Sequence, residues 1–210
     1  GSGMRVLVAC EYSGRVRDAF RARGHDAWSC DLLPCEADPQ WHIQGDALEA
    51  ITSESWNMLI GHPECTYMTN SGVCHLHTDP TRWAKLDRAT EFFLALWNAP
   101  IERVALENPV MHKYAKERIG NLRQAQTVQP SDFGHMEQKA TCFWLRGLPK
   151  LRPTHDLRRQ TMALHPRDRQ RLHYLPPSPD RWKERSRTYQ GIADAMADQW
   201  GGDLVARAAA

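Results

Sequence analysis

The sequence predicts an α/β fold, a mostly parallel sheet with helices on both faces. Two observations lead there. Short apolar runs alternate with stretches of helical period along most of the chain, the pattern of strand–helix–strand units. The 210 residues, 41% of them hydrophobic and 25% charged, suit one domain with a full core. No apolar run approaches the roughly 18 residues that span a bilayer and no leader pattern is seen, so a protein of the cytoplasm without membrane partners is expected. Gly-Ser-Gly before Met4 has the look of a tag remnant and is set apart.

Each element follows from its residues. Residues 4–10 (MRVLVAC) are a valine-rich strand entering a glycine-containing turn, EYSG. The stretch 15–24 (RVRDAFRARG) sets Val16, Ala19 and Phe20 on one helical face and stops at Gly24. A second strand, in HDAWSCDLL, ends near Asp31, and a helix opens at Asp46 in GDALEAI. WNMLIGHP carries a third strand. Residues 82–99 are the clearest helix, with a stripe of Leu86, Ala89, Phe93, Leu96 and Trp97. RVALENP is a fourth strand stopped by Pro109, TCFWLRGL a further strand, and GIADAMADQWGG a closing helix. The proline-rich segment 149–179 breaks the alternation and reads as a small insert or a long functional loop. Residues 4–149 and 184–205 are thus expected to form the main body, with 150–183 as a short basic insert.

The net charge of +2 hides an asymmetry: between Lys150 and Arg187, eleven Lys or Arg face four Asp or Glu. A solvated loop can hold such a run. Here it is arginine-heavy and interleaved with His155, His165, His173, Tyr174 and Trp182, a mix suited to phosphate contacts and base stacking. The six cysteines (10, 30, 35, 65, 74 and 142) are expected to be reduced. Neither CDLLPC nor CHLH has the paired spacing of a zinc site, so no metal is expected.

In parallel sheets ligands bind at the carboxyl ends of strands, where strand order reverses. The turns at those ends hold CEYSG, Asp31, Asp46, HPECTYMTNSG and ENP. Asp31 stands where an acidic residue can grip ribose hydroxyls, or simply cap a helix. Asp46 suits an adenine amino group or an N-cap. Cys65 precedes Thr66, Tyr67, Thr69, Asn70 and Ser71, too polar a setting for a packing cysteine. Facing helix N-termini there, its thiol is expected to have a lowered pKa and to attack as a thiolate. Glu107 ends the fourth strand, where burial is expected to raise its pKa and make it a general acid near neutrality.

Together these residues resemble a known family. VLVACEYSGRVRDAFRARGH resembles the opening motif of the cytosine carbon-5 DNA methyltransferases, HPECTYMTNS their Pro-Cys loop, ENP their Glu-Asn-Val motif and QGIADAMA their closing motif. Order and spacing match over residues 4–145 and 184–200, and the chain is most similar to short, phage- or prophage-type members. It departs from the pattern in three places. Arg15 stands where a glycine is common, Glu64 replaces the second proline of Pro-Pro-Cys, and EQKATCFWL puts Lys139 and Thr141 at the basic positions of a Gln-x-Arg-x-Arg motif.

The resemblance implies a Rossmann-like methyltransferase in a bacterial or phage-infected cell, with DNA as partner and S-adenosylmethionine as cofactor, leaving S-adenosylhomocysteine. It would transfer methyl, or a related sulfonium-borne group, to carbon 5 of cytosine. Cys65 would add at carbon 6 while Glu107 holds the exocyclic amine and ring nitrogen 3, with the base out of the stack. Cys10, Glu11, Tyr12, Ser13, Gly14, Asp31, Leu32, Asp46, His62, Pro63 and Gly191 would line the cofactor pocket. Glu64, Thr66, Asn70, Ser71, Asn108, Pro109, Lys139 and Thr141 would meet or support the target base. Arg158, Arg159, Arg167, Arg169 and Arg171 would contact DNA with short or loose sequence specificity. Three alternatives stay open: the same chemistry on RNA or a nucleotide, an exocyclic-amine methyltransferase, and an inactive nucleic-acid-binding relative. The second needs an Asp/Asn-Pro-Pro-aromatic loop, which HPEC does not supply.

Overall fold

The computed structural model describes residues 3–202, so residues 203–205 of the expected main body lie outside it. Seven strands form one sheet: β1 (Arg5–Ala9), β2 (Asp26–Asp31), β3 (His42–Gln44), β4 (Met58–Gly61), β5 (Arg103–Asn108), β6 (Gln126–Val128) and β7 (Thr141–Arg146). Their spatial order is β3-β2-β1-β4-β5-β7-β6, and β7 alone runs against the rest. The helices are α1 (Arg15–Arg21), α2 (Ala47–Ser53), α3 (Thr81–Trp97), α4 (Lys113–Arg118), α5 (Arg158–Met162), α6 (Pro166–Arg169), α7 (Arg181–Ser186) and α8 (Gln190–Met196), the last continued by a π turn over Ala197–Gly201. This is the Rossmann-like α/β architecture that the alternation of elements predicts.

The two-residue period of the strands divides the core into two layers. Leu7, Ala9, Leu59, Val104 and Leu106 pack with Ile51 of α2, Leu86, Phe93 and Leu96 of α3 and Ala115 of α4. Val6, Val8, Met58, Ile60 and Ala105 pack on the other face with Phe20 of α1 and Ile192 and Met196 of α8. Within α3 the fully covered stripe is Leu86, Thr90, Phe93 and Leu96, with Ala89 and Trp97 at its margins.

The structure adds to the expected elements in three ways. β3 and β6, three residues each, and the six-residue α4 were not foreseen, since such pieces are too short to display a period. The expected third and fourth strands are therefore β4 and β5. The strand in TCFWLRGL is antiparallel, because the connection from β6 carries one short 3-10 turn and no crossover helix. Finally, the 149–179 segment, expected as a small insert or a long loop, is not a bare loop. It carries α5 and α6, α7 follows at once, and Leu151 and Leu172 are buried in the same layer as α1 and α8. Among the described residues no helix is long and apolar enough to cross a membrane.

Candidate functional site

Strand order reverses between β1 and β4, so the crevice lies where residues 10–14 and 62–65 leave the sheet. The β1 turn is built on unusual backbone. Cys10 is left-handed (φ 62°), as is Gly14 (φ 74°), where a Cβ would stand 2.8 Å from Arg17 Nη2. Glu11 closes the turn: its carboxylate accepts the Val16 and Arg17 N–H groups (3.0 and 3.1 Å) and so caps α1. Burial pushes the Glu11 pKa up, against the pull of His62 and those N–H groups.

The side chains of Glu11 and Tyr12, both assigned from the sequence to a cofactor pocket, are thus already engaged within the protein. Glu11 holds the helix. Tyr12 is buried, its hydroxyl donating to the Lys183 carbonyl (2.8 Å) and touching Ser186 Oγ (2.9 Å) on α7. Ser13 Oγ accepts the Arg15 N–H at 3.3 Å.

Asp31, at the end of β2, accepts the Leu33 N–H through Oδ1 (2.9 Å). Burial pushes its pKa up, with the Leu33 N–H and His42 opposing. Leu32 beside it is 74% exposed. Asp46 caps α2 by accepting the Leu48 N–H at 2.9 Å. Burial drives the Cys10 thiol far up, and Asp31, Cys30, Asp46 and Glu64 all add to that push.

The other wall comes from β4 and β5, which run side by side with Gly61 opposite Leu106, so His62–Cys65 emerge beside Glu107 and Asn108. Asn108 Nδ2 donates to the Pro63 carbonyl (3.2 Å) and fastens the loop, while its Oδ1 is buried without a hydrogen-bond partner. His62 Nδ1 lies 3.0 Å from Glu107 Oε2 as an ion pair, and both ring nitrogens are buried with no other hydrogen-bond partner. Burial pushes Glu107 up, yet His62 and Lys139 outweigh it and hold its pKa below the ordinary value. Burial pushes His62 down, and Glu107 and then Glu11 outweigh that, leaving it raised. The Glu107 pKa is therefore lowered and not raised as burial alone would have it, because His62 and Lys139 favour its carboxylate form.

Cys65 departs from expectation in the same way. Burial raises its thiol pKa, with Glu64 and Glu107 adding to the rise and the Lys139 ammonium and its own backbone N–H opposing it. The polar loop after it forms a 3-10 turn (Asn70–His75), not an α-helix whose aligned dipole would lower the thiol. Lys139 is half-buried, with Nζ donating to the Arg185 carbonyl. Burial lowers its pKa, while Glu107 and Cys65 act to raise it. Pro63 and Thr141 are buried at the site's edge, and Pro109 is half-buried just past Asn108. Glu64 and Thr66 are exposed and bonded to each other (3.1 Å). The side chains of Asn70 and Ser71 lie outside what the structure describes.

Gly191 is accounted for by packing: its N–H donates to His135 Nε2 (2.9 Å), and a Cβ there would stand 2.0 Å from the Phe133 carbonyl oxygen. Three of the five chosen arginines are engaged within the protein. Arg158 pairs with Asp132 (3.3 Å), Arg169 donates to the Leu164 carbonyl (2.8 Å) and Gln138 Oε1 (3.3 Å), and Arg171 pairs with Glu137 and with Glu184 (3.8 Å). Arg159 and Arg167 are exposed, the latter over the Tyr174 ring.

Sequence reasoning missed how the basic segment is tied to the crevice. Trp182 meets Tyr12 edge-on (5.8 Å between centroids), Arg187 pairs with Glu36 (2.6 Å), and Lys139 reaches the Arg185 carbonyl. It also placed His62 with the cofactor turn; only the β4–β5 pairing sets it against Glu107. Among the described residues no group of three or more His, Cys, Asp or Glu could hold a metal ion.

No family profile and no curated protein matches the sequence. Among solved structures, a DNA modification methyltransferase encoded within an E. coli prophage aligns at 14% identity and TM-score 0.46, covering 73% of this chain and 52% of its own. Entamoeba histolytica EhMeth aligns at 14% identity and TM-score 0.44, covering 74% and 58%. S. pombe Dnmt2 methyltransferase aligns at 13% identity and TM-score 0.46, covering 70% and 51%. The chain thus spans little more than half the length of these structures.

Proposed function

We propose that this protein transfers a methyl group from S-adenosylmethionine to carbon 5 of cytosine in DNA, through a covalent bond to Cys65. The observation that supports it most is the meeting of Cys65 and Glu107 with the Lys139 ammonium at the carboxyl ends of β4 and β5, beside the β1 turn. The turn suits the cofactor's chemistry. A half-buried carboxylate at Asp31 can accept ribose hydroxyls, Leu32 offers an exposed apolar face, and the acidic groups around Cys10 favour a sulfonium cation. S-adenosylmethionine, when bound, supplies an electrophilic methyl group.

The protein's own residues would do the rest. Cytosine carbon 5 is a poor nucleophile until carbon 6 carries an electron-rich substituent. Cys65 Sγ supplies one by adding at carbon 6, and Lys139 favours the thiolate that attacks. Glu107 faces the Watson–Crick edge, receiving the exocyclic amine and serving ring nitrogen 3 as charge develops. Asn108 keeps the loop and the strand end in register through the Pro63 carbonyl. A base then takes the carbon 5 hydrogen as a proton, the freed pair re-forms the carbon 5–carbon 6 double bond, and Sγ departs as a thiolate. Such contacts require the base to leave the stack. The exposed Arg159, Arg167, Tyr174 and Trp182 favour a nucleic acid over a free nucleotide.

The test supplies DNA and S-adenosylmethionine with a labelled methyl group, then identifies the labelled base after digestion. The reading expects 5-methylcytosine with the native protein and none with Cys65→Ala. Label on the exocyclic amine, or transfer that survives Cys65→Ala, would contradict it.

A further inference from the structure

We infer that His62 is a proton store for Glu107, a positioning residue that supplies the proton the neighbouring carboxyl group hands to the target base. The inference rests on the proposed function, and it starts from geometry. His62 Nδ1 lies 3.0 Å from Glu107 Oε2, the two side chains are only 10% and 16% exposed, and both ring nitrogens lack a hydrogen bond. A buried imidazole is unusual without partners, because each unsatisfied polar atom costs about 1–3 kcal/mol. A charge-balancing carboxylate at that distance explains its presence. Three groups act on it: Glu107 from β5, Glu11 from the turn after β1, and Lys139 from the segment before β7. The two carboxylates favour the imidazolium and Lys139 disfavours it.

The chemistry needs such a store. Addition of Sγ to carbon 6 moves the carbon 5–carbon 6 π pair to carbon 4–carbon 5, and the carbon 4–nitrogen 3 pair becomes a nitrogen 3–hydrogen bond. The thiol's own proton goes to solvent. The new nitrogen 3 proton must come from Glu107, yet His62 and Lys139 favour its carboxylate form in the substrate-free protein. His62 holds the missing proton next to it. A small turn of the ring aims Nδ1–H at Oε2, 3.0 Å away, and the proton passes as Glu107 protonates nitrogen 3, leaving a neutral imidazole; elimination of Sγ returns the proton by the same route. The pair thus shares one exchangeable proton, and its titration belongs to both groups.

Two measurements on the full chain test this. In the substrate-free protein, 15N NMR titration of the imidazoles should place His62, assigned by its loss in His62→Gln, above the ordinary value of about 6.5, and Glu107→Gln should lower it by about one pH unit or more. A His62 titration that ignores Glu107→Gln overturns the pairing. In the second measurement, the rate of adduct formation with 5-fluorocytosine DNA and S-adenosylmethionine is followed against pH. His62→Phe should move the alkaline limb to lower pH by about one unit, because Glu107 must then keep its own proton; His62→Gln gives the same reading should the phenylalanine variant not fold. An adduct whose alkaline limb stays in place overturns the proton store and leaves the proposed function standing. No wild-type adduct at any pH overturns the proposed function, and the store with it.

Discussion

At the site, single residues work against opposing influences. Burial keeps Cys65 a thiol, and the Lys139 ammonium is the chief group pulling it toward thiolate. Lys139→Met should therefore raise the thiol pKa further and slow alkylation of Cys65 by iodoacetamide near pH 8 by about tenfold, the worth of one pH unit. An unchanged rate would mean that the ammonium does not act on the sulfur. The His62–Glu107 pair has its own pH signature in stability. Glu107 lies below its ordinary value, so its contribution is present above about pH 4.5 and fades as pH falls through its folded value. His62 lies above its ordinary value, so its contribution is present below about pH 6.5 and is lost as pH rises through its folded value. The melting temperature lost in Glu107→Gln should thus be greatest near pH 6 and shrink toward pH 4 and pH 8. A pH-independent loss would contradict the pairing. The sequence displayed Cys65 and Glu107 because polar loops after apolar strands announce themselves. It hid the pairing of His62, which it placed with the cofactor turn, because the partner is 45 positions away and is set by sheet pairing. It also hid Arg17, which is fully buried and held by Asp18, Ser29 Oγ and the Asp38 carbonyl.

At the scale of elements, strands of four to six residues were legible, and three-residue strands were not. The closing helix was legible too, but the reason for its glycine was not. Gly191 lets α8 approach the Phe133 carbonyl more closely than any side chain allows. Gly191→Ala should lose about 3 kcal/mol of stability, read from urea midpoints, by forcing α8 off that segment. A neutral substitution would show that the contact yields easily. The basic segment separates its arginines by what they touch. Arg159→Ala and Arg167→Ala should each reduce DNA affinity and lower the salt slope by about 0.9, the loss of one phosphate contact. Arg169→Ala, which removes bonds to Leu164 and Gln138, should lower stability and leave the slope unchanged. A change in slope for Arg169→Ala would place that side chain on the DNA. Composition alone marked this run as basic; helices of four to six residues carry too few turns to show which side chains face outward.

Across the whole molecule, the strand order gathers the ends of β1, β2, β4 and β5 into one crevice, and the basic segment closes on it through Tyr12, Glu36 and Lys139. The alternation of strands and helices made the sheet readable from sequence. The reversed β7 was not readable, because its direction depends on the missing crossover helix. The most direct test of the central claim is mass spectrometry of the protein after incubation with 5-fluorocytosine DNA and S-adenosylmethionine. The proposed chemistry predicts a covalent protein–DNA complex whose attachment maps to Cys65 and which is absent in Cys65→Ala. A protein that binds both molecules yet forms no such complex, or one attached to another residue, would contradict it.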